Sequence, residues 1–202
     1  MDVRELEIGL RGKLGDKINF AGIYTSDNIP HVTHLSKPII FIVNTLKSTS
    51  DINAVGHWVA FYVMGSPVQT IVFFDSYGFH PKMYGKEFAN VIERYHKLPF
   101  FKTLSYFSMR LQPDLSMKCG LYVLFFIHYC SHKGLQKFLN IYQSTFSSKN
   151  LQNNDLFVTK YYFKHLNKNS CRHWKRGSNR AITFKECREI GELYIKIKLI
   201  MS

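Results

Sequence analysis

The chain has 202 residues, 46% of them hydrophobic and 15% aromatic, which excludes a largely disordered protein and suits one domain with a substantial core. Twenty-seven Lys and Arg stand against 14 Asp and Glu, a formal net charge of +13 with a pI near 9.6. That excess attracts a polyanion such as nucleic acid, or an acidic partner, and it serves solubility equally well.

The start, Met1 to Glu7, has no basic stretch followed by an apolar one, so no signal peptide is expected, and no apolar run approaches the roughly 20 residues of a membrane span. Cys119, Cys130, Cys171 and Cys187 are too sparse for a disulfide framework, so reduced thiols in an intracellular, soluble protein are expected. No repeat, low-complexity tract or linker divides the chain, which predicts a single domain over 1–202.

In chain order, Val3, Leu6, Leu10 and Leu14 share one side of a short helix over 3–14, weakened by Gly9 and Gly12. Phe20 to Tyr24 reads as extended, entering a turn at Thr25 to Asn28. Ile39 to Asn44 is a β-branched run and predicts a buried strand. Lys47 to Val55 is a polar loop. Trp58 to Val63 and Val68 to Phe74 are two strand-like runs, and Gly65-Ser66-Pro67 between them is turn chemistry, so they should pair as a hairpin.

After a loop over Ser76 to Pro81, Phe88, Val91, Ile92 and Tyr95 mark the apolar side of a helix over 86–96. Thr103 to Leu111 reads as a strand ending in Gln112. From Cys119 the chain runs almost unbroken in apolar residues through Cys130, with Leu121, Leu124, Phe125 and His128 at helical intervals. A helix apolar on every side belongs in the middle of a domain. Asn154 and Asp155 resemble caps of a further helix over 156–166. Residues 167–180 form the densest basic stretch, interleaved with Trp174, which suits nucleic-acid contact or a solvated loop. Ile195 to Leu199 alternates like an edge strand or a tail.

Four positions can carry chemistry together. His57 precedes the first hairpin strand and Asp75 follows the second, so an antiparallel hairpin brings both to one end of the sheet. Cys119 opens the central helix, where unpaired N–H groups and the helix dipole favour thiolate over thiol. Gln112 could donate a side-chain amide to a developing oxyanion beside the Cys119 N–H. Each also has a plain structural reading: His57 capping a strand, Asp75 opening a turn, Gln112 a surface amide, Cys119 a small core hydrophobe. His128, Cys130 and His132 are close in sequence, with the two histidines at i and i+4, and Cys171 and His173 form a separate close pair. No CxxC or HExxH pattern supports zinc, so no metal is expected and His128 reads as a core histidine.

The segments Gly56-His57-Trp58-Val59-Ala60-Phe61, Phe73-Phe74-Asp75-Ser76-Tyr77-Gly78-Phe79, and Gln112 with Ser116 and Cys119-Gly120-Leu121 through His128 resemble the adenovirus protease (adenain-like) cysteine proteases. Related enzymes occur in adintoviruses and Polinton/Maverick elements, with SUMO- and ubiquitin-like-specific proteases more distant. Phe20 to Pro30, Ile42 to Thr45 and the helix near 154–166 match more weakly, so the resemblance covers most of the chain. It implies an α+β fold of the papain-like/adenain-like type, a mixed central sheet with a buried helix starting at the nucleophile and further helices flanking it. It also implies Cys119 as nucleophile, His57 as general base, Asp75 as its orienting acid and Gln112 as oxyanion donor. The function it implies is cleavage of viral precursor proteins at glycine-containing sites during virion maturation, inside the infected cell (the host nucleus) and the virion. Possible cofactors by the same resemblance are DNA and an activating peptide, with no membrane and a monomeric state.

Two departures bear on this. Adenovirus enzymes carry Glu where this chain has Asp75, a change that keeps a carboxylate on the imidazole. The second cysteine through which those enzymes tether an activating peptide is missing from Phe100 to Ser108. The competing readings are a ubiquitin-like-specific isopeptidase with the same chemistry, and a catalytically silent basic DNA-binding virion protein.

Overall fold

The structure, a computed structural model, describes residues 1–32, 36–50, 56–64, 69–97 and 101–167. It is an α+β arrangement around a five-stranded mixed sheet of order β1-β2-β3-β4-β5. β1 (Asn19–Thr25) runs parallel to β2 (Ile39–Asn44), β2 and β4 (Gln69–Phe74) each run antiparallel to β3 (Trp58–Met64), and β5 (Phe101–Tyr106) runs parallel to β4.

The middle strands read as continuous apolar runs because both faces of the sheet are covered. Alternate residues divide between two cores. Ile40, Ile42, Ala60, Tyr62, Val72 and Phe74 face one, together with the apolar body of α3 (Cys119–Lys133). Phe41, Val43, Val59, Phe61, Val63, Ile71 and Phe73 face the other, against Phe88, Val91 and Tyr95 of α2 (Lys86–His96). The period of two in a pleated strand makes this division.

α3 is the middle of the molecule. Tyr122 to Ile127 are all fully buried, which fits a helix apolar on every side. Phe126 stacks on Phe74 of the sheet, ring centroids 4.5 Å apart and 9° from parallel. α1 (Val3–Leu10) buries Leu6 and Leu10 in the same core, and Gly9 lets it approach Leu124. α4 (Leu135–Thr145) contributes Phe138 and Tyr142, and α5 (Leu151–Tyr161) contributes Val158.

The expected hairpin is present as the β3–β4 pair, with Ala60 opposite Phe74 and Met64 opposite Thr70; its turn at 65–67 lies outside the described residues. β2 and α2 fall on the ranges read from sequence. Several expectations are corrected. α1 ends at Leu10, not 14, where Arg11 leaves helical geometry. β5 ends at Tyr106, so Gln112 sits in the connection to α3 and not on the strand. α5 starts at Leu151 with Asn150 as its cap, its side chain accepting from the Asn153 N–H. Asn154 and Asp155 are therefore buried inside the helix, not capping it. Tyr162–Leu166 continues from α5 as a π-helical turn. α4, with no reading from sequence, closes the side of α3. The basic stretch over 168–180, the end at 195–199, Cys171, His173, Trp174 and Cys187 lie outside the described residues.

Candidate active site

Asp75 leaves the end of β4 into a turn that needs Gly78. Gly78 has φ +75°, and a Cβ there would meet the Ser108 carbonyl at 2.7 Å. That turn wraps Asp75, which is fully buried, in donors. The Tyr77 and Phe79 N–H groups donate to it at 2.9 Å each, and Tyr84 Oη donates to Oδ2 at 2.7 Å. His57 Nε2 meets Oδ1 at 2.6 Å. Four converging donors complement an ionised carboxylate, which only accepts.

His57 is fixed at the start of β3 from both sides. Its N–H donates to Thr45 Oγ1 and its carbonyl accepts from the Thr45 N–H, each at 2.9 Å. Gly56 before it leaves no room for a side chain, since a Cβ would overlap Asn44. The imidazole lies between two tyrosine rings, Tyr77 at 4.6 Å and Tyr84 at 5.8 Å between centroids, both nearly parallel to it. Aromatic faces favour a cationic ring.

With Nε2 committed to Asp75, the other ring nitrogen is the one left for Cys119. Cys119 is the first residue of α3, whose preceding residue Lys118 gives no side-chain cap, so the terminal N–H groups remain for another acceptor. The sulfur takes the N–H groups of Trp58 and Gly120 and interacts with His57. Burial works against the thiolate, but the His57 hydrogen bond and charge, with those two N–H groups, outweigh it and lower the Cys119 pKa. Burial likewise works against the His57 cation, but hydrogen bonds and charge from Asp75 and Cys119 push its pKa up to about 9. The pair therefore favours thiolate and imidazolium over thiol and imidazole. Cys130 on the same helix shows the contrast: burial alone holds its thiol well above the ordinary value.

His57, Trp58, Tyr77, Ser116, Met117 and Cys119 line a cleft of about 1130 Å³. The space beside Gly120 is filled by the side chain of Met1, whose carbonyl also accepts from Trp58 Nε1 at 2.9 Å.

Gln112 is fully buried, not the surface amide of the plain reading. Ser76 holds it by both backbone and side chain: the Gln112 N–H donates to the Ser76 carbonyl at 3.0 Å, and Ser76 Oγ donates to Gln112 Oε1 at 2.6 Å. Gln112 Nε2 donates to the Ser116 carbonyl and, at 3.5 Å, to Tyr77 Oη. The adjacent residues Asp75 and Ser76 thus secure the histidine and the glutamine from one turn.

Three residues of this site carry no role in the sequence reading. Tyr84 reaches Asp75 because Pro81 opens a 3-10 turn after the loop. Ser76 and Tyr77 sit beside Asp75, and adjacency was the available signal. His128, half-buried instead of a core residue, pairs through Nδ1 with Tyr161 Oη at 2.6 Å and lies beside His132 and His165. Among the described residues no group of His, Cys, Asp and Glu is arranged to hold a metal ion.

No protein-family model and no curated protein sequence matches the chain. Some solved structures do. The chain is similar to an ASFV protease. That likeness has 18% identity and a TM-score of 0.45, covering 74% of this chain and 60% of the ASFV chain. A selenomethionine structure of the ASFV protease gives 24% identity and a TM-score of 0.42 over 64% of this chain and 43% of that one. The central domain of Lpg1148 from Legionella pneumophila gives 14% identity and a TM-score of 0.41, with 81% and 95% covered. This chain thus spans about three fifths of the ASFV protease it matches, and at these values none of the three likenesses assigns it to a family. No helix among the described residues is long and apolar enough to cross a membrane.

Proposed function

We propose that this protein is a cysteine endopeptidase acting through Cys119, His57 and Asp75. The observation that carries the reading is the mutual effect of Cys119 and His57 across an open cleft, with Asp75 fully buried behind the imidazole. A nucleophilic thiol needs a base in reach and a group to orient that base. The Cys119 thiolate adds to a peptide carbonyl carbon and the carbonyl oxygen takes the negative charge. The Cys119 N–H and Gln112 Nε2 stabilise that charge, the amide exchanging its long bond to Tyr77 for the oxyanion. His57 gives its proton to the leaving amine as the C–N bond breaks. A water, deprotonated by His57, then hydrolyses the thioester and restores the thiolate and imidazolium.

The finer reading is an adenain-like, viral-type enzyme that cleaves precursor proteins beside glycine during virion maturation. Its support is the motif set around His57, Asp75 and Cys119 and a cleft that Met1 and Trp58 line together with Cys119.

The test is Cys119→Ala on glycine-containing peptides and on ubiquitin-like fusions, with the melting temperature as a control for folding. Loss of all cleavage with an unchanged melt is expected, with peptides preferred over the fusions. Preference for the fusions selects the isopeptidase reading, and turnover that survives in Cys119→Ala removes the nucleophile.

A further inference from the structure

Asp155 is a buried carboxylate outside the triad, 8% exposed on α5. Its partners all lie in the segment that leads into α3 or on the first turn of that helix. Ser116 Oγ donates to Oδ2 at 2.7 Å, Tyr122 Oη lies 2.8 Å from Oδ1, and Lys118 Nζ is 3.5 Å from Oδ2. The neighbouring Asn154 Nδ2 donates to the Leu111 carbonyl at 3.0 Å, at the other end of the same connection. Two adjacent residues of one helix therefore grip both ends of the stretch that carries Gln112 and delivers Cys119.

The grip reaches Gln112 through one atom. The Ser116 carbonyl accepts from Gln112 Nε2. A carbonyl has no donor, so only the nitrogen end of the amide can face it; the flipped amide would set oxygen against oxygen. Ser76 Oγ on the other side can donate or accept and does not by itself choose. The orientation of the amide thus depends on where the Ser116 carbonyl sits, and the Ser116 side chain is tied to Asp155.

We propose that Asp155 is a positioning residue that, through Ser116, keeps the Gln112 amide turned nitrogen-first toward the oxyanion formed at Cys119. The proposal rests on the cysteine peptidase reading. It separates two properties of the site. Thiolate formation depends on His57 and the helix start, while oxyanion stabilisation depends on the α5 grip.

The experiment compares wild type with Asp155→Ala, Asp155→Asn and Ser116→Ala, all checked by melting temperature. Three readouts are taken: kcat and KM on a glycine-containing peptide, affinity for a peptide aldehyde, and the rate of Cys119 alkylation by iodoacetamide. The aldehyde forms a hemithioacetal, a C–S bond forming from the Cys119 thiolate as the carbonyl oxygen takes up the proton of the His57 imidazolium; that oxygen occupies the oxyanion position. Alkylation displaces iodide and develops no oxyanion.

Asp155→Ala and Ser116→Ala are expected to lower kcat and aldehyde affinity together by about 10- to 100-fold, short of the roughly 10²- to 10³-fold of removing an oxyanion donor outright, with KM and alkylation within about twofold. Asp155→Asn, which keeps an oxygen acceptor for Ser116, is expected to recover much of the loss. Ser116→Ala disturbs less buried structure and stands if Asp155→Ala fails to fold. Equal aldehyde affinity in the folded variants overturns the proposal, as does a parallel fall in alkylation. A wild-type protein that neither cleaves the peptide nor captures the aldehyde overturns the peptidase reading instead.

Discussion

At the scale of single residues the site is a contest between burial and hydrogen bonding. Burial favours neutral Cys119 and neutral His57, and their contact, backed by Asp75, reverses both. His57 holds its proton more tightly than an ordinary histidine, so as pH rises the imidazolium is lost only near pH 9. Cys119 has a lowered pKa, so as pH falls the thiolate persists below the ordinary thiol value. kcat/KM should therefore be bell-shaped with its alkaline limb near pH 9, read from a pH–rate series; a limb near pH 6 to 7 would show an unpaired imidazole. The same shift has a consequence for stability. The raised His57 pKa means the folded state binds the proton more tightly than the unfolded one, so this contribution is complete below the ordinary histidine value and fades as pH rises through about 9. Iodoacetamide should label Cys119 far faster than Cys130 at neutral pH, as mass spectrometry of digests would show. Tyr84→Phe removes a donor from a buried carboxylate, a bond to a charged group worth about 1.5–3 kcal/mol. Chemical denaturation should show that loss, and kcat should fall more than KM changes, because Tyr84 bonds Asp75 and is not among the residues that line the cleft.

At the scale of elements the site depends on three strand and helix ends meeting. His57 immediately precedes β3, Asp75 immediately follows β4, and Cys119 opens α3. The β2–β3 and β3–β4 registers fix the first two, and the packing of α3 on the sheet fixes the third. Phe126 is the contact where α3 meets β4, stacked on Phe74 directly before Asp75. Phe126→Ala should cost about 3–5 kcal/mol in denaturant unfolding, a large share of a typical domain stability of roughly 5–15 kcal/mol. Any protein that still folds should lose the alkylation advantage of Cys119, since the helix start is then free to shift from the β3–β4 end. A conservative change on the exposed face of α2, such as Glu93→Gln, offers the control with little expected effect.

At the scale of the whole molecule the net charge of +13 is the feature the cleft chemistry does not use. If this excess serves a polyanion, DNA affinity should fall steeply with salt as counterions are released, measured by anisotropy between about 50 and 200 mM salt. A salt-independent signal would remove a backbone-driven DNA role.

Much of the fold is legible in the residue pattern alone. The β-branched run at Ile39 to Asn44, the paired runs around Trp58 and Phe74, the apolar face of 86–96 and the unbroken apolar body after Cys119 each specify their element, because hydrophobic period follows from local backbone geometry. The hairpin even places His57 near Asp75, since antiparallel pairing joins sequence neighbours. Other features turn on packing between distant segments, which local pattern does not encode. Nothing in the residues around Gln112 says that the chain leaves the strand at Tyr106, or that Ser76 and Ser116 would bury the amide between them. Asp155 has the look of a helix cap because Asp caps helices often; it lies inside α5 because Asn150 already serves there and Ser116 and Tyr122 offer it partners. Local pattern specifies the elements and the residue types able to do thiol chemistry. Which of them share a cleft follows from packing, because burial and hydrogen bonding between segments far apart in the chain set both the lowered pKa of Cys119 and the direction Gln112 faces.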